Sequence, residues 1–452
     1  MNTVFVVGAG PAGLFAAQKI ARAGHSVVIF NQDIKPGGLA EYGIYPTKDK
    51  MKNGLRKQFG KILAMPEVTY FGHTAVGANR AFSIAELREL NPAALVFAVG
   101  AQGTKRLGLP GEEAGGVYAS KDFVYHYNQL PPFAGQDFST GKRICIIGMG
   151  NVMVDVAHWL LVDDPERQAE EVTVIARRGP FEAKFDQKEF AYIEEFLDRR
   201  ALEEELRRVK DRIAKVGQDI AQVPDASFPA LAKPFREPPS RCLRFRFLTS
   251  PTAIHADGSG RIVGLTVTEN LLVPRNGGTK AQATDQTTEL EFDTMIFAIG
   301  DVADPTLGLP YEKNSYVTNS DTADPERAGY EVFDPQSGKL LDGTYVVGWA
   351  RKASEGLVGV ARRDGETGAT HILNYLEGAP QKPAISPGEI RHRLDGKNVE
   401  CITKGDLPYL TRAEEKQAQE RGLPRFKFGD DTAMLAAIKE EKTKGGVPRA
   451  AA

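Results

Sequence analysis

The chain has 452 residues, 42% of them hydrophobic and 26% charged, enough for two or three domains of ordinary soluble composition. Its 57 lysines and arginines nearly balance 59 aspartates and glutamates, so the net charge of −2 points to neither nucleic acid nor a membrane as partner. No apolar run reaches spanning length. The three cysteines, Cys145, Cys242 and Cys401, lie far apart, which rules out a CxxC redox pair and a clustered iron–sulfur motif and fits a reducing cytoplasm.

The chain opens on "VFVVGAGPAGLFAA", residues 4–17. No positively charged region precedes this stretch, so it reads as a strand and turn rather than a secretory signal. Gly8, Gly10 and Gly13 form GxGxxG between an apolar strand and a helix pattern, and "HSVVIF" follows as a second strand. That order is what a dinucleotide site requires. The first glycine permits the tight turn, the second lets backbone approach a pyrophosphate, and the third allows close helix–strand packing. The helix N-terminus then offers free N–H groups to the phosphates. An acidic residue usually ends the second strand to bind ribose hydroxyls; Asn31 stands there, with Asp33 two residues on.

A second unit begins at "ICIIGMGNVMVDVA", residues 144–157. Gly148 and Gly150 fill the first two glycine positions, and Met153 replaces the third, which asks for a wider helix–strand contact. The next strand ends in Arg177 and Arg178. Paired arginines at that point suit the 2′-phosphate of NADP, where an acidic residue would favour NAD; their plain reading is a solvated loop. Two such units in one chain suggest a resident flavin dinucleotide and a visiting nicotinamide dinucleotide.

"ALVFAVGAQG" (94–103) and "TMIFAIGDVAD" (294–304) each read as a strand stopping at a glycine, where the chain passes between units. The expected organisation is α/β, two Rossmann-like domains with the second inserted in the first. Residues 1–104 and 328–452 make the first and 105–327 the second. Between about 186 and 221, Leu202, Leu206, Val209, Ile213, Val216 and Ile220 form a heptad-like seam, for packing on its own domain or for a dimer contact. Lys233, Arg236, Arg241, Arg244 and Arg246 form a basic stretch expected to steer an acidic partner. In "GTYVVGWARKASEGLVGVARRDGETGATHIL" (343–373), Trp349 is placed to cover a flat ring, or to fill a core, and a helix starts near Gly356. The segment after about 378 carries no readable chemistry.

Together "GNV" with Asp155, "ARRGP", "RFRFLTSP", and "VVGW" followed by "EGLVG" resemble the adrenodoxin reductase type of ferredoxin–NADP reductase, over nearly the whole chain. "GGLAEYGIYPTKDK" (37–50) gives a more distant likeness to the reductase subunit of glutamate synthase. The resemblance implies non-covalent FAD, NADPH as donor, and a ferredoxin-like iron–sulfur protein as acceptor, in a cytoplasmic monomer or homodimer. Carried over by position, Ala12, Asn31, Gly38, Leu39, Val76, Trp349, Gly356, Leu357 and Val358 would contact FAD. Gly150, Asn151, Val152, Arg177, Arg178 and Glu189 would contact NADP, with Lys105 where the family has an arginine. Three positions depart from the pattern. Asn31 replaces a ribose-binding glutamate, Lys48 a histidine near the flavin, and Tyr192 that histidine's glutamate partner. Lys48 is therefore a candidate catalytic residue. Rival readings are a flavoenzyme reducing a quinone or other small acceptor, a flavin monooxygenase, and a non-catalytic NADPH-binding redox sensor.

Overall fold

A computed structural model describes residues 1–235, 237, 240–319, 329–353, 356–383 and 385–445. Two sheets organise it. The first has seven strands in the order Glu331–Asp334, Lys339–Val346, Ala94–Phe97, Thr3–Val7, Ser26–Phe30, Val68–Gly72, Ile402–Thr403. Its inner strands are parallel and both edge strands antiparallel. Every residue of Thr3–Val7 is buried, because helices and loops cover both faces. Val4 and Val6 pack toward helices Pro11–Arg22, Asp49–Leu63 and Val358–Gly378; Phe5 and Val7 pack into the layer of Leu87, Leu307 and Ile390.

The second sheet is parallel throughout, in the order Val117–Ala119, Thr294–Phe297, Arg143–Ile147, Glu171–Ile175, Cys242–Arg246. One face carries an antiparallel sheet of Thr249–Ala256, Ile262–Arg275 and Gly278–Glu291. The other face carries helix Arg199–Ala214, which Asp198 caps by accepting the Ala201 N–H at 3.0 Å. The heptad-like seam is buried there: Leu202, Leu206, Val209 and Ile213 sit in this unit's core, with Val216 and Ile220 packed beside them. Within the chain the seam is fully engaged, so it gives a dimer contact no support.

The second unit is inserted in the first, and its two crossing segments pair with each other, Gly103–Thr104 against Asp301–Val302. The buried Lys121 braces this crossing. Its ammonium donates to the carbonyls of Ala101, Gln102 and Gly103 and lies 3.8 Å from Asp301. Among the described residues no helix is long and apolar enough to cross a membrane.

Candidate functional site

Each glycine of the first turn is there for a different neighbour. Gly8 has φ of +105°, and a Cβ on it would stand 2.5 Å from the Ala98 carbonyl oxygen. A Cβ on Gly13 would stand 2.1 Å from the Gly8 carbonyl oxygen, so helix Pro11–Arg22 closes on the strand only without a side chain there. At Gly10 a Cβ would meet nothing within 4 Å. That space faces a helix N-terminus with no side-chain cap, the cradle a dinucleotide pyrophosphate fits. Gly38 borders the same space, its absent Cβ 3.2 Å from the Gly10 Cα, and the Gly37 N–H donates to the Ala9 carbonyl at 2.8 Å. Ala12 lies under Gly348 and beside Gly365, which brings the Trp349 loop to this helix.

Asn31 is held by partners within the chain. It is 5% exposed. Its Oδ1 accepts the Ala9 N–H at 2.9 Å; its Nδ2 faces the Asp33 and Lys35 carbonyls and the Tyr70 hydroxyl at 2.9, 3.2 and 3.3 Å. The side chain therefore ties the glycine turn to the following loop. Asp33 lies partly buried in that loop, and burial, with Asp431 adding to it, pushes its carboxyl up to about 7. The Thr74 N–H donates to the Asn31 carbonyl at 2.8 Å, and Val76 bridges to Phe82 and packs against the core that holds Phe30 and Phe82. Leu39 opens the short helix Leu39–Tyr42 and packs beside Tyr42, Tyr125 and Leu130.

The second turn repeats the design. Gly148 has φ of +117°, with an absent Cβ 2.3 Å from the Ala298 carbonyl oxygen, and a Cβ on Gly150 would meet nothing within 4 Å. Met153 is buried in the unit's core, so the wider contact is filled rather than strained. Asn151 accepts the Asp186 N–H on its Oδ1 at 2.7 Å, which ties the 184–186 loop to the turn, and Val152 follows it half-buried. Arg177 is exposed and Arg178 half-buried; neither has an ion-pair partner among the described residues. Lys105, just beyond the paired crossing segment, is also exposed and unpaired among them.

The two units meet along a seam at the start of helix Asp49–Leu63. Lys48, the residue before that helix, forms an ion pair with Glu189, expected instead to face NADP. The Tyr45 ring stacks on His158 at 3.9 Å, and the Thr47 hydroxyl donates to Asp163 at 3.1 Å. A π-helical turn, Trp159–Asp163, brings Asp163 back to 3.5 Å from His158 Nδ1. Asp155 points into the same seam. Burial pushes its carboxyl up to about 7, Lys48 opposing and Glu189 adding to the rise.

Lys52, one turn after Lys48, was not singled out from the sequence; its only signal is the i,i+4 spacing. It is 1% exposed and donates to Asn128 Oδ1 at 2.7 Å. Burial, and then the Lys427 ammonium, lower it from 10.5 to about 6. Between those values the unfolded chain holds the extra proton, so Lys52 makes stability rise with pH. In thermal melts of cofactor-free protein between about pH 7 and about pH 9, wild type should gain more stability than Lys52→Met. Equal slopes would contradict this burial.

Trp349 is half-buried and borders a cavity of about 200 Å³ with Tyr330, Arg351, Val360 and Arg363. Asp364 holds its loop by accepting the Gly348 N–H at 2.5 Å and pairing with Arg351. The helix expected near Gly356 runs from Val358, with Gly356 at φ +76° and Leu357 just ahead of it. The carboxy-terminal segment, silent in the sequence, straps the first unit. Lys427 lies 2.7 Å from Glu41, Arg425 pairs with Asp49, and Lys35 lies 2.6 Å from Glu414. Burial works against ionisation of Glu41, yet Lys35, Lys427 and Arg56 together hold it well below the usual carboxylate range.

Three members of the expected basic docking stretch are paired with carboxylates of other elements. Lys233 pairs with Glu194 at 2.5 Å, Arg244 with Asp198 at 3.0 Å and with Glu171, and Arg246 with Glu269 at 2.9 Å. Arg241 lies over the Phe196 ring, and Arg236 lies outside the described residues. These side chains hold strands and helices together.

Comparison with known proteins agrees with this architecture. A family model described as pyridine nucleotide-disulphide oxidoreductase matches residues 2–324. NADPH-ferredoxin reductase FprA of Mycobacterium leprae is 29% identical over 96% of this chain and 98% of its own length. The mitochondrial NADPH:adrenodoxin oxidoreductase of Arabidopsis thaliana is 25% identical over 96% and 95%. The structure of Mycobacterium tuberculosis FprA in complex with NADPH superposes with a TM-score of 0.78 at 25% identity, covering 98% of this chain and 99% of that one. The three cysteines here are free and buried. The chain belongs to the pyridine nucleotide-disulphide oxidoreductase family, as an oxidoreductase of its FAD- and NADP(H)-binding kind.

Proposed function

We propose that this protein carries electrons from NADPH to a small ferredoxin-like iron–sulfur protein, with FAD resident at the first glycine turn and NADPH visiting the second. The observation that carries the reading is an open glycine cradle in each of two units that the Lys48–Glu189 pair joins. The names of the relatives, NADPH-ferredoxin reductase and NADPH:adrenodoxin oxidoreductase, support it. Residues 1–104 and 328–452 form the FAD-binding domain and 105–327 the NADP-binding domain. The free, buried cysteines suit the cytoplasm. NADPH-driven cytochrome c reduction that depends on added [2Fe–2S] ferredoxin tests the reading; turnover indifferent to ferredoxin contradicts it.

Bound flavin takes electrons in pairs and releases them singly, and the protein supplies orientation and electrostatics around it. Gly10 and Gly38 leave room for its pyrophosphate at the N-terminus of helix Pro11–Arg22. Gly148, Gly150, Asn151 and Val152 do the same for NADPH, and Arg177 and Arg178 hold the 2′-phosphate. Trp349 and the start of helix Val358–Gly378 border the ring end of the first site. In the seam Lys48 Nζ pairs with Glu189, and the raised Asp155 carboxyl is ready to hold a proton. Lys48→Ala removes the positive charge and leaves Glu189 unpaired. Flavin reduction by NADPH in stopped flow should slow by about tenfold to a hundredfold. An unchanged rate would make Lys48 a structural bridge only.

A further inference from the structure

The seam around Lys48 has an outer rim that the reactions above do not use. Three of the exposed large hydrophobic side chains converge on it: Met51 at 44% exposure, Val162 at 36% and Tyr192 at 57%. Two contacts place their neighbours close together. Lys48 lies three residues before Met51 and has its ammonium 5.8 Å from the Tyr192 ring; Thr47 binds Asp163, the neighbour of Val162. Both units thus bring an exposed hydrophobic side chain to the rim of one seam.

Exposed lysines surround it. Lys50 and Lys57 lie on the outer face of helix Asp49–Leu63, with Lys61 on the same face, because their spacings of seven and four return about to the same side at about 100° per residue. Lys188 comes from the other unit, immediately before Glu189. None of the four has an ion-pair partner among the described residues. Asp186 and Glu195 are exposed carboxylates close in sequence to Lys188 and Tyr192, and the four unpaired lysines outnumber them. An aromatic and methionine centre inside a charged rim is the usual anatomy of a transient protein interface. In the stretch expected to serve this purpose, Lys233, Arg244 and Arg246 are paired with carboxylates of other elements, Glu194, Asp198 and Glu269.

We propose that this inter-unit surface is where the acidic iron–sulfur acceptor docks, with Met51, Val162 and Tyr192 against its apolar contact and Lys50, Lys57 and Lys188 facing its carboxylates. The proposal rests on the reductase reading above and adds the landing site. Charge decides the occupant: unpaired lysines attract an acidic protein, steer its approach and repel a second copy bearing the same rim.

The test uses the FAD-loaded enzyme and an acidic [2Fe–2S] ferredoxin, with a neutral quinone as a small acceptor indifferent to surface charge. The variant Lys50→Glu/Lys57→Glu/Lys188→Glu should raise KM for ferredoxin by about tenfold or more and flatten its dependence on salt. Quinone reduction should stay at the wild-type rate. Met51→Ala/Tyr192→Ala should raise KM for ferredoxin while keeping the salt slope. A lysine triple variant with wild-type KM and salt slope overturns the surface alone. So does a wild-type dimer that sedimentation shows to separate in the triple variant. A wild-type enzyme that reduces quinone but no ferredoxin overturns both the surface and the reading beneath it.

Discussion

Replacing Arg177 and Arg178 together by alanine should raise KM for NADPH by about a hundredfold and leave KM for NADH within about twofold. The two residues follow strand Glu171–Ile175 beside the open Gly150 cradle. Their backbone is fixed: the Arg177 carbonyl accepts from Asn270 Nδ2 at 3.0 Å, and the Arg178 carbonyl from the Leu248 N–H at 3.1 Å. The guanidinium groups therefore extend from a rigid loop, and no carboxylate among the described residues engages them. Each charge-assisted bond to a phosphate contributes about 1.5–3 kcal/mol, and exposure keeps the pair toward the lower end. Steady-state kinetics with both nucleotides measures the effect. An equal loss for NADPH and NADH would show that the arginines shape the loop instead of reading the 2′-phosphate.

Two alanine substitutions in the first turn should both yield colourless protein, for opposite reasons. Gly10 has φ −74° and ψ 178°, which any residue adopts, and an added methyl meets no protein atom within 4 Å. Gly10→Ala should fold and melt like the wild-type apoprotein, yet retain little flavin because the methyl occupies the pyrophosphate space. In Gly13→Ala the methyl would stand 2.1 Å from the Gly8 carbonyl oxygen and 3.0 Å from the Ala98 Cβ. Helix and strand must then separate, at a cost of about 1–3 kcal/mol or more. Circular dichroism melts of the apoproteins, read beside flavin absorbance, separate the two. A Gly10→Ala protein that keeps full flavin would contradict the placement of the cofactor.

Where function depends on backbone geometry, the sequence was legible. Gly8, Gly13 and Gly148 are required by contacts within the protein, while a side chain at Gly10 or Gly150 would meet nothing within 4 Å, a difference that follows the spacing. The heptad-like seam was legible as a buried face because its period matches a helix lying on a sheet. Side chains whose partners lie far along the chain were not. The partners of Asn31 and Glu189 within the chain, Ala9 and Tyr70 for the first and Lys48 for the second, had no local signal. The arginines near 244 looked free because Glu171, Asp198 and Glu269 lie in other elements. The carboxy-terminal strap was silent for the same reason: Lys427 acquires meaning only next to Glu41.

The most direct measurement is an anaerobic double-mixing experiment on the yellow, FAD-loaded protein. NADPH is added first, with NADH as the comparison, and an oxidised [2Fe–2S] ferredoxin second, while flavin absorbance is followed. The account predicts rapid bleaching by NADPH, much slower bleaching by NADH, and recovery of the flavin band as ferredoxin is reduced. Bleaching that persists when ferredoxin is added, and recovers only with a quinone, would contradict an iron–sulfur protein as the acceptor.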